Sequence, residues 1–497
     1  MRLLRFLIDK QEKRAYHFYT LFSFCIFVGF TRGLEEVIFF RQAIKPSQLL
    51  TFVPFYLSLG FLLLLVLSKV ARVNFKRVAG PILIGLFLGI FPPVIDFIIL
   101  QNSSARYGYY FLWNFQGIPW MAYDTSINFP AGEAITIWLS ILFCTAYTYI
   151  KTLSVWRSLT ALAATYVVFI FHSSIFPMIV TRLTVGEITS FSQAVSDMFK
   201  MEYVISNISL WQLILTFAVY LALRPALFNS LLPRLNHTLP FVLLSLLGSA
   251  AMGEINSISL LMALLIFIAG LISLVQNDFF DEIEDRYLKR PLAVKKYDLP
   301  FFNLVFTLVL IQVMTQNSRA VLVVAIAFSL TFLYNYPFYR AKRTFPANLK
   351  IEGAWALCSF LSGVLVFHPG KITTEVLILS FLVFGGWSLV SSIKDSKDLL
   401  GDFRARNNTL FLFLRRKGIR LSASHKIINR ISMVCLCMPP VMLSIKGDFL
   451  ASILVLCAGI PGIWALMKRV NHKRFQVFLA SINIIIIFCM GHYLKFI

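Results

Sequence analysis

The chain has 497 residues, of which 58% are hydrophobic and only 14% are charged, with a mean hydropathy of +0.77. A soluble globular domain usually carries about 25% charged residues, so this composition excludes an ordinary soluble protein. The net charge of +23 does not indicate nucleic-acid binding, because Lys and Arg are gathered in short loops between apolar runs. The chain is therefore predicted to be an all-α polytopic membrane protein that contacts membrane lipids and binds no nucleic acid.

Apolar runs of about 20 residues are long enough to cross a bilayer. By this criterion we predict about fifteen spans, near residues 16–40, 49–68, 79–100, 133–150, 158–181, 205–222, 238–256, 258–280, 300–315, 319–338, 351–367, 373–394, 426–445, 449–467 and 475–494. Eight basic loops fall on the same side of this fifteen-span count. The positive-inside rule then places that side and the N-terminus in the cytoplasm, in a protein of the cell's inner or plasma membrane.

The connections outside the membrane change in length along the chain. Segments 101–132 and 182–204 are long, whereas the later external loops shrink to a few residues, and a module boundary is predicted near 230. We expect an N-terminal membrane module of about six spans at 1–230, with no assigned role, and a second module of about nine spans at 231–497.

Charged residues occur within the predicted spans of the first module, namely Arg32, Glu35, Glu36 and Asp96. Because charge inside a membrane is costly, it suggests a functional role by default. Arg32 and Glu36 are four positions apart on a predicted helix, and an ion pair between them is the simpler account.

Two acidic runs stand out in a chain that is otherwise poor in acid. They read Asp278-x-x-Asp281-x-x-x-Asp285 and Asp395-x-x-Asp398-x-x-x-Asp402, and they are 117 positions apart. On a helix, the three carboxylates of each run fall within about 60° of one another, on one face. Each run follows an apolar span on the same predicted side of the membrane. Two solvated helix ends are the alternative interpretation, but the repeated spacing favours one shared site.

Six carboxylates at one membrane surface would repel one another unless a cation or protons relieved the repulsion. Mg²⁺ prefers carboxylate oxygens and is commonly shared with substrate phosphates. No His or Cys cluster accompanies the two runs, which disfavours zinc or iron. The pattern therefore predicts Mg²⁺ ions that hold one diphosphate.

Basic and aromatic residues that could complete a diphosphate site follow the two runs. Arg286, Lys289 and Arg290 follow the first run, and Arg404 and Arg406 follow the second. Tyr334, Tyr336 and Lys342 lie in the segment between them. Arg and Lys neutralise phosphate oxygens, and tyrosine faces can stabilise a developing carbocation. Positive-inside charge and interfacial aromatic residues are the alternative explanations.

In these motifs, segment 231–497 resembles the UbiA-type membrane prenyltransferase superfamily. The resemblance extends to Asn277 and Arg290-Pro291 around the first run, Gly401 in the second, the segment from Tyr334 to Lys342, and the nine-span count. It implies a UbiA-like helical bundle around a lipid-open cavity, with Mg²⁺ and an allylic prenyl diphosphate at its cytoplasmic end. The superfamily's glycine and Thr-Leu-Pro after the second run are replaced here by Arg404-Ala405-Arg406-Asn407-Asn408-Thr409-Leu410-Phe411, so the acceptor-side loop differs.

The resemblance implies three sets of site residues, which overlap. The catalytic residues would be Asp278, Asp281, Asp395, Asp398 and Lys342. The Mg²⁺ ligands would be Asp278, Asp281, Asp285, Asp395, Asp398 and Asp402. The residues that contact the diphosphate would be Asn277, Arg286, Arg290, Tyr334, Tyr336 and Arg404.

The leading hypothesis is therefore a Mg²⁺-dependent prenyltransferase. It would ionise a prenyl diphosphate and pass the prenyl group to an aromatic, quinone-precursor or lipid or sugar phosphate acceptor. A transporter or flippase of a lipid-linked phosphate is the alternative. Such a protein would need polar groups through the midplane, whereas both acidic runs are predicted on one side.

Overall fold

The computed structural model describes residues 18–40, 52–100, 131–177, 179–180, 198–280, 298–314, 317–336, 344–367, 372–404, 409–467 and 472–495, together with positions 8, 12 and 341. Within these ranges, the side chains at 198–205 and 394–404, among others, lie outside the description. The statements below concern the described residues.

The predicted all-α fold is confirmed, and each of the fifteen predicted spans coincides with a helix. Eleven helices in the described ranges are long and apolar enough to cross a membrane. Helices suit these sequences because a helix satisfies its backbone hydrogen bonds internally, where lipid offers no partners. The chain is thus an integral membrane protein, and the count of fifteen crossings stays a prediction.

The chain divides into two compact units, residues 1–225 with Thr307–Gln316, and 226–306 with Asn317–Ile497. The helices of the first unit are α1 (Phe18–Phe40), α2 (Phe52–Val70), α3 (Phe75–Phe87), α4 (Pro92–Leu100), α5 (Ala131–Thr152), α6 (Val155–Ile170) and α7 (Met198–Leu223). Helix α2 packs against α1, α3, α6 and α7. The separate roles predicted for modules 1–230 and 231–497 stay predictions.

The helices of the second unit form a closed sequence of neighbours. They are α8 (Pro225–Leu231), α9 (Leu235–Ala250), α10 (Ser257–Phe280), α11 (Asp298–Met314, whose last residues belong to the first unit), α12 (Ser318–Asn335), α13 (Ala347–Val364), α14 (Thr374–Arg404), α15 (Leu410–Arg416), α16 (Leu421–Ile445), α17 (Phe449–Leu466) and α18 (His472–Tyr493). Successive helices from α12 to α14 pack together, and so do those from α16 to α18. Helix α14 also packs against α16, and α18 packs against α9.

The centre of the second unit is the contact between α9 and α13, where the two backbones approach closely. A Cβ on Gly248 would lie 2.1 Å from the Phe360 carbonyl oxygen, and one on Gly363 would lie 1.8 Å from the Ser245 carbonyl oxygen. The hydroxyls of Ser245 and Ser362 are 2.9 Å apart in the same contact. Small residues allow this approach, which favours helix association inside a membrane.

The offset of 117 positions recurs in the structure. Helices α10 and α14 begin at Ser257 and Thr374, which are 117 positions apart, like the two acidic runs. The bonded pair Ser245 and Ser362 has the same separation, so equivalent residues of the two halves meet each other. This arrangement is what an internal two-fold repeat of helix pairs produces.

The second acidic run lies inside a helix. The span predicted at 373–394 agrees with the apolar stretch Thr374–Ile393, and α14 continues beyond that stretch to Arg404. Hydropathy falls at the charged residues, but no proline interrupts the run, and the helix continues past the apolar segment. The extension keeps Asp395, Asp398 and Asp402 on a regular helical backbone.

At the opposite end of the second unit, a polar cluster joins four helix ends. Lys446 pairs with Glu375, which also accepts a hydrogen bond from the Tyr493 hydroxyl. Asp448 caps α17 by accepting from the Ala451 N–H at 3.0 Å, and it contacts His492. The hydrogen bond from Ala451, together with His492, lowers the pKa of the Asp448 carboxyl below its usual 3.8.

We expect Gly363→Ala to lower the free energy of unfolding by about 1–3 kcal/mol or more, because the new methyl group would overlap the Ser245 carbonyl. Gly385→Ala on α14 is the matched control, since a Cβ there has no atom within 4 Å. Thermal unfolding of both variants in one detergent measures the difference. Equal midpoints would contradict the close contact of α9 with α13.

Asp448→Ala is expected to lower the thermal midpoint more than Asp448→Asn, because asparagine still accepts from the Ala451 N–H. The pKa of Asp448 is lowered in the folded state, so its stabilisation is present above 3.8 and is lost as the pH falls through the folded pKa. The difference in thermal midpoint between wild type and Asp448→Ala should therefore become smaller below pH 3.8. A difference in thermal midpoint that does not change with pH would show that the charge of Asp448 does not stabilise the fold.

Candidate functional site

The described part of the candidate site centres on Asp278, near the C-terminal end of α10. Its side chain is only 6% exposed, and Oδ1 accepts from Nη1 of Arg234 in an ion pair. A buried carboxylate requires compensation of this kind, since an isolated charge away from water is costly. The first residue of the first acidic run is therefore held in place by a cation from the chain itself.

Arg234 ends the short 3₁₀ turn Leu232–Arg234 that leads into α9. Helix α9 packs against α10, and this contact brings Arg234 to Asp278 across 44 positions of sequence. In the sequence, Arg234 is one basic residue of a predicted cytoplasmic loop, so it was not among the predicted site residues. The spacing of residues in the sequence does not reveal the pair of Arg234 and Asp278. The packing of α9 against α10 brings the two residues together.

The tyrosine segment at the end of α12 lies beside the end of α10. The rings of Tyr336 and Phe280 meet edge to face, with their centroids 5.7 Å apart. Helices α10 and α12 also pack together along their length. The structure thus brings the predicted residue Tyr336 to the first acidic run.

Tyr334, also predicted to contact the diphosphate, donates its hydroxyl to Glu352 Oε1 at 2.8 Å. Glu352 belongs to α13, so this bond fixes the end of α12 on the helix that centres the unit. The phenol oxygen keeps its capacity to accept a further hydrogen bond. In this structure Tyr334 therefore positions the segment.

Two buried amides near the same helix ends carry atoms without hydrogen-bond partners. Asn335 is fully buried, and neither its amide oxygen nor its amide nitrogen has a partner. Gln276 is also fully buried, with Nε2 at 3.4 Å from Asn303 Oδ1 and with Oε1 unpartnered. Buried polar atoms without partners are rare, and each one suggests a missing ligand or water. Neither amide was among the predicted site residues.

The structure describes only some of the other predicted site residues. Asn277 lies on α10 and is half-buried. Asp281, Asp285, Arg286, Arg290 and Lys342 lie outside the described residues. Asp395, Asp398, Asp402 and Arg404 lie on α14, but their side chains lie outside the description.

No group of three His, Cys, Asp or Glu side chains suited to a metal occurs among the described residues. Of the six predicted Mg²⁺ ligands, only the side chain of Asp278 is within the description. What the structure shows is one buried carboxylate, its arginine partner and two buried amides with incomplete hydrogen bonding at adjoining helix ends. Such a site is suited to a polar or charged ligand.

No protein-family model matches the chain. No curated protein matches it either.

Two solved structures are similar to 53% of the chain. One concerns a digeranylgeranylglyceryl phosphate synthase in membranes, with 20% identity, 96% of that chain covered and a TM-score of 0.39. The other is a UbiA homolog from Archaeoglobus fulgidus bound to DMAPP and Mg²⁺, with 15% identity, 98% of that chain covered and a TM-score of 0.39. Over about half its length, the chain is similar to UbiA-type structures, the family that its aspartate motifs resemble.

Proposed function

We propose that residues 231–497 transfer a prenyl group from an allylic prenyl diphosphate to an acceptor at the membrane. The acceptor would be an aromatic compound, a quinone precursor, or a lipid or sugar phosphate. The observation that carries this proposal is the paired placement of the two acidic runs. Asp278 on α10 and Asp395 on α14 are 117 positions apart in the sequence, and so are the first residues of the two helices.

The donors of this site fit Mg²⁺. Asp278 presents an anionic oxygen donor in a buried position, and its charge is compensated by Arg234. A divalent cation would provide the same compensation more strongly, and carboxylate oxygens are what Mg²⁺ prefers. The ion would be held by Asp278, Asp281, Asp285, Asp395, Asp398 and Asp402. When bound, it would neutralise negative charge on the diphosphate. A prenyl diphosphate and Mg²⁺ are also the ligands of the Archaeoglobus fulgidus homolog.

Arg234 has two tasks in this proposal. It balances the charge of Asp278, and its remaining N–H groups suit the oxygens of a diphosphate, because guanidinium groups form paired bonds to phosphate. Lys342, Arg286, Arg290 and Arg404 would add positive charge around the leaving group. Stabilising charge that develops on the diphosphate is the largest single contribution such residues can make.

The buried amides supply neutral contacts in the same proposal. The unpartnered oxygen and nitrogen of Asn335 offer one acceptor and two N–H donors. Tyr336 presents a half-exposed ring at the end of α10, 40% exposed, where an aromatic face can stabilise an allylic cation.

The proposed reaction predicts that the purified full-length protein releases pyrophosphate from labelled prenyl diphosphates, and that a chelator stops this release. Asp278→Asn and Asp395→Asn should each reduce turnover by roughly 100-fold or more, since each removes one anionic ligand. Asp278→Asn should also raise the Mg²⁺ concentration needed for half-maximal activity.

Asp448→Asn is the matched control for these variants, because it makes the same change in the polar cluster at the other end of the unit. It should retain turnover. Wild-type turnover in both Asp278→Asn and Asp395→Asn would exclude the metal site. Transport of a lipid-linked phosphate without pyrophosphate release would establish the alternative function.

Asn335→Leu is predicted to separate stability from turnover. Leucine fills a similar volume without polar atoms, so it should raise stability by about 1–3 kcal/mol by removing the unpartnered amide. If Asn335 binds substrate, the same change should lower kcat/KM at least tenfold. Thermal unfolding and turnover are measured on the same preparation. Higher stability with unchanged kcat/KM would remove Asn335 from the site.

A further inference from the structure

The first unit contains a narrow crevice that the proposed reaction does not use. Its walls come from one face of α2, with parts of α3, α5 and α6. Apolar side chains cover most of its length, including Leu59, Leu63 and Leu67 on α2, Ile82 and Leu86 on α3, and Phe143 on α5. All of these residues belong to the same compact unit.

The crevice is long and thin. Its lining on α5 extends from Glu133 to Tyr147, which at 1.5 Å per residue is about 21 Å. Its volume, measured for the centre of a water molecule, is about 60 Å³. Spread over that length, the space is roughly one hydrocarbon chain wide, given ordinary carbon contact distances of about 4 Å. A volume of this size along α5 is suited to a single hydrocarbon chain.

The hydroxyl groups along the crevice have already donated their protons. Thr136 donates to the Gly132 carbonyl at 2.7 Å, and Ser140 donates to the Thr136 carbonyl at 2.8 Å. The two phenols that line the crevice do likewise, as Tyr56 donates to the Gly89 carbonyl and Tyr147 donates to Glu12. A hydroxyl whose proton is used can still accept. The oxygens of these hydroxyl groups can therefore accept a hydrogen bond from a ligand.

The charges in the wall are one cation and one anion, Arg32 and Glu133. Arg32 is only 2% exposed, and its guanidinium carbon lies 5.8 Å from the ring centre of Phe52. Because these two formal charges are opposite, the wall carries no net charge. Burying a charged head group here would carry its full desolvation cost. An uncharged head group is favoured.

We propose that this crevice binds a long-chain alcohol, with one hydrocarbon chain along α2 and α5 and its hydroxyl donating to Thr136 or Ser140. The chain contacts are apolar and extend over most of the crevice, so they supply affinity. The two accepting hydroxyls distinguish an alcohol from an alkane of the same length. The site contains none of the residues proposed for prenyl transfer.

The test uses the purified full-length protein in detergent and a 16-carbon alcohol that carries a photoactivatable diazirine. Labelling should map to α2 or α5 and should be displaced by hexadecanol. Hexadecanoic acid and hexadecylammonium should compete at least tenfold less well, and hexadecane severalfold less well. Labelling elsewhere, or equal competition by the acid, would overturn the proposal.

Two variants and one control complete the test. Gly85→Leu should abolish labelling, because a Cβ there meets only Phe143 at 3.8 Å and the rest of the side chain would fill the crevice. Ile84→Phe adds bulk at the neighbouring exposed position and should leave labelling unchanged. Ser140→Ala should keep labelling but reduce the preference for hexadecanol over hexadecane. Unchanged labelling in Gly85→Leu, with the thermal midpoint retained, would place the alcohol elsewhere.

Turnover of Gly85→Leu distinguishes the two possible sources of the alcohol. If prenyl transfer is unchanged while labelling is lost, the occupant is a resident membrane alcohol. If both are lost, the alcohol is a substrate of the reaction. If the wild-type protein releases no pyrophosphate, the proposed prenyl transfer is wrong. The proposal of an alcohol site in the crevice would still stand, because the binding measurements do not depend on turnover.

Discussion

The close contact between α9 and α13 is the constraint on which the second unit depends. Lipid gives helices no hydrophobic reason to associate, so association relies on close packing and on hydrogen bonds between helices. Gly248 and Gly363 allow the two backbones to approach, and Ser245 and Ser362 join them at the same level. Helix α10 packs on α9, and α14 packs on α13, so the positions of Asp278 and of the helical backbone at 395–402 follow from this contact.

A second constraint concerns polar groups inside an apolar protein. Charge buried at Asp278 requires Arg234, and the pair in turn fixes the start of α9 against the end of α10. In the first unit, the hydroxyls of Thr136 and Ser140 satisfy themselves on carbonyls of their own helix. These two ways of satisfying buried polar groups have different effects. An ion pair holds two elements together, whereas a hydroxyl that donates within its own helix can still accept a hydrogen bond from a ligand.

Sequence reasoning located the helices because apolar runs of membrane length permit little else. The span predicted at 373–394 agrees with the apolar stretch Thr374–Ile393, and α14 continues to Arg404 because charge ends an apolar run without ending a helix. Sequence reasoning also found the repeated aspartates, since spacing along a helix is a property of the chain alone. The contact predicted between Tyr334 and the diphosphate stays a prediction, and the structure adds that the Tyr334 hydroxyl donates to Glu352 on α13. From the sequence, Arg234 was interpreted only as a basic residue of a predicted cytoplasmic loop.

By itself, the sequence determined the helical membrane class and the repeated spacing of the two acidic runs, from which a Mg²⁺ site is predicted. These features depend on composition and local periodicity. Only the tertiary structure decided that Arg234 compensates Asp278, that Asn335 and Gln276 are buried without full hydrogen bonding, and that α2 and α5 enclose a crevice. The physical reason is that burial and pairing arise between residues far apart in sequence, and close packing of helices brings them together.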